Sequence, residues 1–314
     1  MQVSAPEFSM IARHFRPLAG PEGLNLLDDA ALLTPPAGAQ LVLAADAMVA
    51  GVHFLPDDPP ETIGRKLLRV NLSDLAAMGA TPLGYLMTIA LTPATDEAWL
   101  TGFVAGLAED QREFGLRVLG GDTVSSPGPL TLSLTILGQV PPGAALTRAG
   151  ARPGDDIWVS GRIGDGWLGL RAARGEMADP GGVMARRYRL PEPRLALGVA
   201  LRGLARAAMD VSDGLLQDVS HLCRAGDCAA VVEAALVPVS DAAAPIEALV
   251  TGGDDYELLF AAAAEDHAAV MAAGLAARTP VTRIGRFTGG APRVTLADGQ
   301  GADITPEKLG WSHL

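Results

Sequence analysis

The sequence predicts an α/β protein of two domains. A chain of 314 residues has room for two domains of ordinary size, and its 49% apolar content supplies two cores. Strand and helix periodicities alternate on both sides of a turn-rich stretch at 141–153, where the chain is divided into domains 1–145 and 146–314.

In the first domain the apolar run Leu41-Val42-Leu43-Ala44-Ala45 reads as a strand and 61–78 as a helix. A strand at 83–91, a helix at 96–114 and strands at 117–119 and 130–140 follow. Residues 127–147 are uncharged over a membrane-spanning length, yet Pro127, Pro129, Pro141, Pro142 and Gly143 bracket them. Within that stretch Leu130, Leu132, Leu134 and Ile136 alternate with Thr131, Ser133 and Thr135, the period of a half-buried strand rather than of a membrane helix.

The second domain opens with a strand at 156–160. Helices follow around 167–174, 183–189 and 195–205, then a strand at 208–211 and a helix at 213–225, and further α/β structure runs to the end near Leu314. In the helix at 213–225, Leu215, Leu216, Val219, Leu222 and Cys223 fall on one core-facing stripe. Short repeats and low-complexity tracts are not seen.

Composition narrows the function classes. A formal charge of −12 and a pI near 4.8 argue against nucleic acid or an anionic membrane as partner, while small anions remain possible if cations accompany them. Residues 1–16 contain Glu7 and no apolar run ending in a small-residue cleavage site, so the expectation is a cytoplasmic protein without a signal peptide. Cys223 and Cys228 are the only cysteines and read as buried thiols, and the five histidines show no zinc-like pairing.

Aspartates at the ends of apolar runs are the chemically informative feature: Asp28, Asp29, Asp46, Asp74, Asp122, Asp210 and Asp213. Asp46 closes the strand at 41–45 and Gly121-Asp122 follows Val118-Leu119, so two strands are expected to deliver a carboxylate at the sheet edge where α/β proteins bind ligands. A solvated turn aspartate is the plain alternative for each. On the helix at 61–78, Leu67, Asn71, Asp74 and Met78 share one stripe, so two polar groups interrupt an apolar face. An unpartnered buried carboxylate costs several kcal/mol, which calls for a partner such as a metal; a second, exposed polar face is the other reading.

In Asp210-Val211-Ser212-Asp213-Gly214 a strand gives way to a helix. Ser212 or Asp213 capping that helix explains one of these side chains but not both aspartates. Several carboxylates in one cleft repel one another unless cations enter, and hard oxygen ligands select Mg2+ or Ca2+, the former commonly with phosphates. Phosphoryl transfer needs such ions together with in-line positioning of donor and acceptor. The only lysines, Lys66 and Lys308, follow no glycine-rich loop, so this is no P-loop protein. A formal G-x-G-x-x-G at Gly164-Asp165-Gly166-Trp167-Leu168-Gly169 is a weak dinucleotide signal, since Asp165 opposes a pyrophosphate.

Taken together, Asn71-Leu72-Ser73-Asp74-Leu75-Ala76-Ala77-Met78-Gly79-Ala80, Gly120-Gly121-Asp122-Thr123, Leu146-Thr147-Arg148 and Asp210-Val211-Ser212-Asp213-Gly214 resemble the thiamine-monophosphate kinases in order and spacing across nearly the whole chain. Glu7-Phe8-Ser9, Val49-Ala50-Gly51-Val52-His53-Phe54, Asp255-Tyr256-Glu257-Leu258 and Gly310-Trp311 add to the match. The resemblance implies the two-domain fold of aminoimidazole ribonucleotide synthetase, with the N-terminal domains joined in a homodimeric barrel. It implies Mg2+ at Asp29, Asp46, Asp74, Asp122, Asp210 and Asp213, and ATP at Gly121, Asp122, Arg148 and Ser212. Thiamine monophosphate would meet His53, Asp254 and Trp311, with direct γ-phosphoryl transfer and no catalytic nucleophile.

An arginine suits a triphosphate, and an aromatic plane suits a cationic thiazolium. Trp311 as a packing residue and His53 as a turn residue are the alternatives. The sequence departs from the pattern at Leu26-Leu27, where a glycine is usual, at Ala44-Ala45, which replaces a Ser/Thr pair, and at Asp254, which replaces a glutamate. Sister enzymes are the rivals, namely selenophosphate synthetase, aminoimidazole ribonucleotide synthetase or a hydrogenase-maturation dehydratase. The selenium and hydrogenase enzymes would want a reactive N-terminal and C-terminal cysteine respectively, and both are missing. A catalytically silent nucleotide-binding homologue is a further alternative. A haloacid-dehalogenase-type phosphatase is disfavoured because no Asp-x-Asp-x-Thr follows an apolar strand.

Overall fold

The computed structural model describes residues 6–312. Residues 1–5, part of the segment read for a leader, and the chain end at Leu314 lie outside them. The chain divides into two compact units, the first made of Met1–Leu72 and Thr81–Pro142 and the second of Ser73–Ala80 and Gly143–Leu314.

The first unit begins with α1 (Pro6–His14) and continues through β1 (Gln40–Val49), α2 (Pro60–Ala77), β2 (Thr81–Leu91), α3 (Glu97–Phe114), β3 (Val118–Ser125) and β4 (Thr131–Val140). The last residues of α2, from Ser73 onward, belong to the second unit. The sheet runs β1-β4-β2-β3, antiparallel at β1/β4 and β4/β2 and parallel at β2/β3. β4 alternates as its sequence requires: Leu132, Leu134 and Ile136 are buried while Thr131, Ser133 and Thr135 are only partly covered.

Two helices of this unit, α2 and α3, meet at unusually short range. A Cβ at Gly106 would lie 2.0 Å from the Glu61 carbonyl and one at Gly64 2.4 Å from the Phe103 carbonyl, so only glycine lets α2 and α3 approach this closely. α3 starts where Asp96 accepts the Trp99 N–H at 2.8 Å and stops at Gly115, whose φ of 70° is left-handed. Arg65 and Arg69 of α2 then clamp the fully buried Asp110 of α3, Arg69 with bonds of 2.6 and 3.0 Å and Arg65 with one of 2.8 Å.

β1 and β3 are longer than their sequences suggest. The sequence ends the first of these strands at Ala45 and the second at Leu119, whereas pairing continues through Asp46 opposite Leu134 and through Asp122 opposite Thr88. Both aspartates are therefore mid-strand in a mixed sheet, and the expectation that strand C-terminal ends deliver them is corrected. Backbone pairing with β4 and β2 outweighs the poor strand propensity of Gly and Asp.

The second unit contains β5 (Asp156–Ser160), α4 (Asp165–Ala173), α5 (Val183–Arg189), α6 (Leu195–Ala200), β6 (Ala207–Asp210), α7 (Leu215–Gly226) and β7 (Ala229–Glu233). It ends with α8 (Ile246–Thr251), β8 (Leu258–Ala262), α9 (His267–Ala276), β9 (Val281–Thr288) and β10 (Arg293–Ala297). The six strands run β10-β7-β9-β5-β8-β6, parallel only at β10/β7.

Both faces of this sheet are covered, so its central strands are apolar throughout. Ile157, Val159, Leu259 and Ala261 pack with Leu215, Leu216, Val219, Leu222 and Cys223 of α7, the stripe read from the sequence. Trp158, Leu258, Phe260 and Ala262 pack on the other side with Ala76, Ala77, Leu197 and Val270. Each such aliphatic or aromatic side chain contributes about 1.5–3 kcal/mol by leaving water. Cys223 and Cys228 are both unpaired thiols in this interior, and burial pushes the Cys223 thiol up to about 12. Among the described residues no helix is long and apolar enough to cross a membrane.

Candidate active site

In the first unit the predicted residues separate into two places. A short 3-10 segment at Pro21–Leu26, with Leu24, Asn25 and Leu26 all at positive φ, turns the chain so that exposed Asp28 and Asp29 line an open cavity of about 760 Å³. Gly121 and Asp122 of β3 and Thr88, Ser133 and Thr135 of the sheet line the same cavity. Its size is that of a pocket for a small organic ligand. Asp122 is exposed and its Oδ1 accepts the Thr123 N–H at 2.9 Å.

Gly121 has a structural reason of its own. An added Cβ would lie 1.9 Å from the Met87 carbonyl of the neighbouring strand. Gly121→Ala is therefore expected to split the β2/β3 pairing and to cost about 1–3 kcal/mol or more, read as a lower urea midpoint.

Asp46 and His53 do not line that cavity. Burial raises the Asp46 carboxyl above the ordinary carboxylate range. Its backbone N–H donates to Asn71 Oδ1 at 3.2 Å, and Asn71 Nδ2 donates to the Leu67 carbonyl at 2.9 Å. Asn71 thus interrupts the apolar stripe of α2 because it holds β1 in place. His53 Nδ1 accepts the Val49 N–H at 3.0 Å, which puts the proton of a neutral ring on Nε2. The buried Lys66 ammonium donates to the His53 carbonyl at 3.0 Å.

In the second unit one turn gathers most of the remaining candidates. β6 ends at Asp210, and the chain then reverses through Val211-Ser212-Asp213-Gly214 into α7. Neither Ser212 nor Asp213 caps the helix through its side chain: the N-cap is Gly214, at φ 127°, with no side-chain cap bond. Instead Asp218, one turn inside α7, reaches back with Oδ2 to accept the N–H groups of Ser212, Asp213 and Gly214 at 3.1, 3.3 and 3.2 Å. The capping expectation is corrected, because an internal carboxylate already serves those donors.

Ser73 of α2 donates its hydroxyl proton to Asp210 Oδ2 at 2.7 Å. Asp74, the next residue, is half-buried. The Ser212 carbonyl accepts the N–H of Asp254, which is left-handed at φ 65°, and the Asp213 carbonyl accepts the Trp311 N–H, both at 2.8 Å. Gln217 Nε2 bridges Asp213 Oδ2 at 3.1 Å and the Trp311 carbonyl at 2.6 Å, while half the Trp311 side chain stays exposed. Asp210, Ser212, Asp213, Asp254 and Trp311 are therefore brought together. Arg148 is exposed, and with Arg224 its positive charge adds to burial in holding His221 below the usual imidazole range.

The turn concentrates negative charge. Burial first, then the charges of Asp210 and Asp213, push the Asp218 carboxyl well up. One donor atom each from Asp213, Asp218 and His221 lies within 4.8 Å of the others. Two hard carboxylate donors beside a histidine held below the usual imidazole range fit a divalent cation. Asp218 and His221 carried no distinguishing signal in the sequence, since their neighbours are made by the turn.

The G-x-G-x-x-G is not a vacant phosphate cradle. Buried Asp255 fills it, Oδ2 accepting the Gly164 N–H and Oδ1 the Gly166 N–H, both at 2.9 Å. Glu257, two residues on, holds Ser160 and the guanidinium of Arg194. The segment that follows Asp254 is thus fixed by two buried carboxylates.

Known proteins resemble this chain over most of its length. The N-terminal domain of AIR synthase related proteins matches residues 27–140 and their C-terminal domain matches residues 152–297. A thiamine-monophosphate kinase of Caulobacter vibrioides is 47% identical, covering 98% of this chain and 90% of its own. The crystal structure of thiamine-monophosphate kinase from Stenotrophomonas maltophilia superposes with a TM-score of 0.80 at 41% identity, covering 88% of this chain and 91% of that one. A ThiL protein complexed with AMPPCP and TMP has a TM-score of 0.77 at 28% identity, with 91% of each chain covered.

Proposed function

The chain belongs to the AIR synthase related family and, within it, to the thiamine-monophosphate kinases, and from that premise we propose that it moves the γ-phosphoryl group of ATP onto thiamine monophosphate to give thiamine diphosphate. The observation that carries this reading is the Asp210–Gly214 turn and the start of α7, where burial and the charges of Asp210 and Asp213 push the Asp218 carboxyl up and where donor atoms of Asp213, Asp218 and His221 lie within 4.8 Å of one another. The related structure that holds an ATP analogue and TMP supports both substrates.

Magnesium bound there would neutralise charge on the transferring group. Asp74, Asp210 and Asp213 would hold it in the second unit, and Asp29, Asp46 and Asp122 in the first. Arg148 supplies a positive charge for the triphosphate, and Ser212 and Gly121 contact the nucleotide. Asp254 and Trp311 receive the thiamine moiety together with His53, whose Nε2–H is the donor set by the Val49 contact. Transfer is direct and in line, with no covalent enzyme intermediate and no nucleophilic side chain.

The shortened Asp254 and the alanines at 44 and 45 weaken binding without removing any of these aspartates. The reading also places the enzyme in the cytoplasm as a homodimer joined through the first unit. Leu43, Leu86 and Val124, exposed on the strands of that sheet, supply an apolar face for the second copy.

The test is formation of thiamine diphosphate by the purified protein from thiamine monophosphate, ATP and Mg2+. EDTA is the control and free thiamine the comparison acceptor. Product that requires both the metal and the monophosphate is expected. AMPPCP binding without product would instead favour a silent nucleotide-binding homologue.

A further inference from the structure

We propose that Ser73 is a positioning residue for magnesium, acting through Asp210. The inference rests on the kinase reading above and adds a residue to it.

Ser73 is fully buried on α2, between Leu72 and Leu75, which are buried as completely. Nothing in the helix itself asks for a serine there. Alanine is the better helix former, and a serine inside a helix ordinarily turns its hydroxyl back to the carbonyl four residues earlier. Ser73 instead donates to Asp210 Oδ2 at 2.7 Å, across 137 positions of sequence. Asp210 is 5% exposed and is the last residue of β6, where its backbone is fixed opposite Leu258 of β8.

The donor direction is settled by chemistry. A carboxylate oxygen accepts, so the hydroxyl proton points at Asp210 Oδ2. Such O–H···O⁻ bonds are among the stronger ones, and low local dielectric strengthens them further. One hydroxyl takes one of about four lone-pair positions on a carboxylate and so helps to orient it. That is the part played by partners just outside a metal's ligands: they orient a ligand. The local choice of a poorer helix former is what a functional position looks like when it overrides helix propensity.

A mere tie between α2 and β6 would also explain the bond, and metal dependence separates the two. The experiment compares wild type, Ser73→Ala and Ser73→Cys in complex with AMPPCP. Mg2+ is titrated by calorimetry, and KM for thiamine monophosphate and the melting temperature of the metal-free protein are measured alongside. Ser73→Ala is expected to raise the Mg2+ concentration at half-saturation by about 10- to 100-fold, with KM for thiamine monophosphate within about twofold of wild type. Ser73→Cys, a weaker donor of similar size, falls between, and it stands in should the alanine variant not fold.

A lower melting temperature with Mg2+ half-saturation unchanged would make Ser73 a structural tie and overturn the proposal. If wild type itself shows no saturable Mg2+ effect with AMPPCP, the magnesium reading fails and this inference falls with it. A saturating wild type beside an unshifted variant overturns this inference alone.

Discussion

Asp74→Asn is expected to fold like the wild type and to turn over thiamine monophosphate about 10²- to 10⁴-fold more slowly. The substitution keeps the side chain's volume and half-buried position on α2 while removing one negative charge. Its neighbours Ser73 and Leu75 are fully buried and unchanged, so the helix has no packing reason to move. A metal-bound carboxylate contributes several kcal/mol to stabilising charge in the transition state, and about 1.4 kcal/mol corresponds to tenfold in rate. The check is kcat with saturating ATP and Mg2+ beside a urea melt. Wild-type turnover by a folded variant would remove Asp74 from the machinery and leave the sister synthetases or another aspartate to be considered. A variant that lost activity by unfolding would show it as a shifted midpoint.

Asn71 and Asp74 stand out in the sequence because they break an apolar stripe, and α2 is buried almost throughout, which excludes an exposed polar face on that helix. The same logic exposed the α7 stripe and the alternation of β4, since period and burial are two sides of one pattern. Other parts were hidden for a physical reason. Gly120-Gly121-Asp122 looks like a turn by composition, yet Met87 and Thr88 of β2 keep it paired, and the glycine is there because a carbonyl approaches.

Asp218 and Asp255 are single acids whose partners are backbone N–H groups presented by turns, and no spacing rule marks them. Ser73 has no local signal of its own, because its acceptor lies 137 residues away. Residues that touch a ligand tend to sit in recognisable motifs, whereas those that hold them become visible only when the chain is folded.

Asp110→Ala carries the largest expected loss of stability. Asp110 is fully buried; its Oδ1 receives bonds from both Arg65 and Arg69 and its Oδ2 one from Arg69, and those arginine side chains are only 13% and 7% exposed. Removing the acid strands two positive charges in a place water scarcely reaches. Breaking a buried pair from one side costs about 3–5 kcal/mol, or about 6–20 °C of melting temperature for a domain of this size. Glu113 and Glu109 touch the same arginines at 2.9 and 2.6 Å, but they are about half exposed, so they compensate little and their own replacement should cost under about 1 kcal/mol. The contrast between Asp110→Ala and Glu109→Ala in urea melts is therefore the informative measurement, and equal small losses would show that solvent screens the whole network. The clamp also bears on catalysis. It holds α2 against α3 on the glycine contact at Gly64 and Gly106, and α2 carries Asn71, Ser73 and Asp74 at its other end. Loss of Asp110 should thus lower kcat in parallel with stability, whereas Glu109→Ala leaves both near wild type.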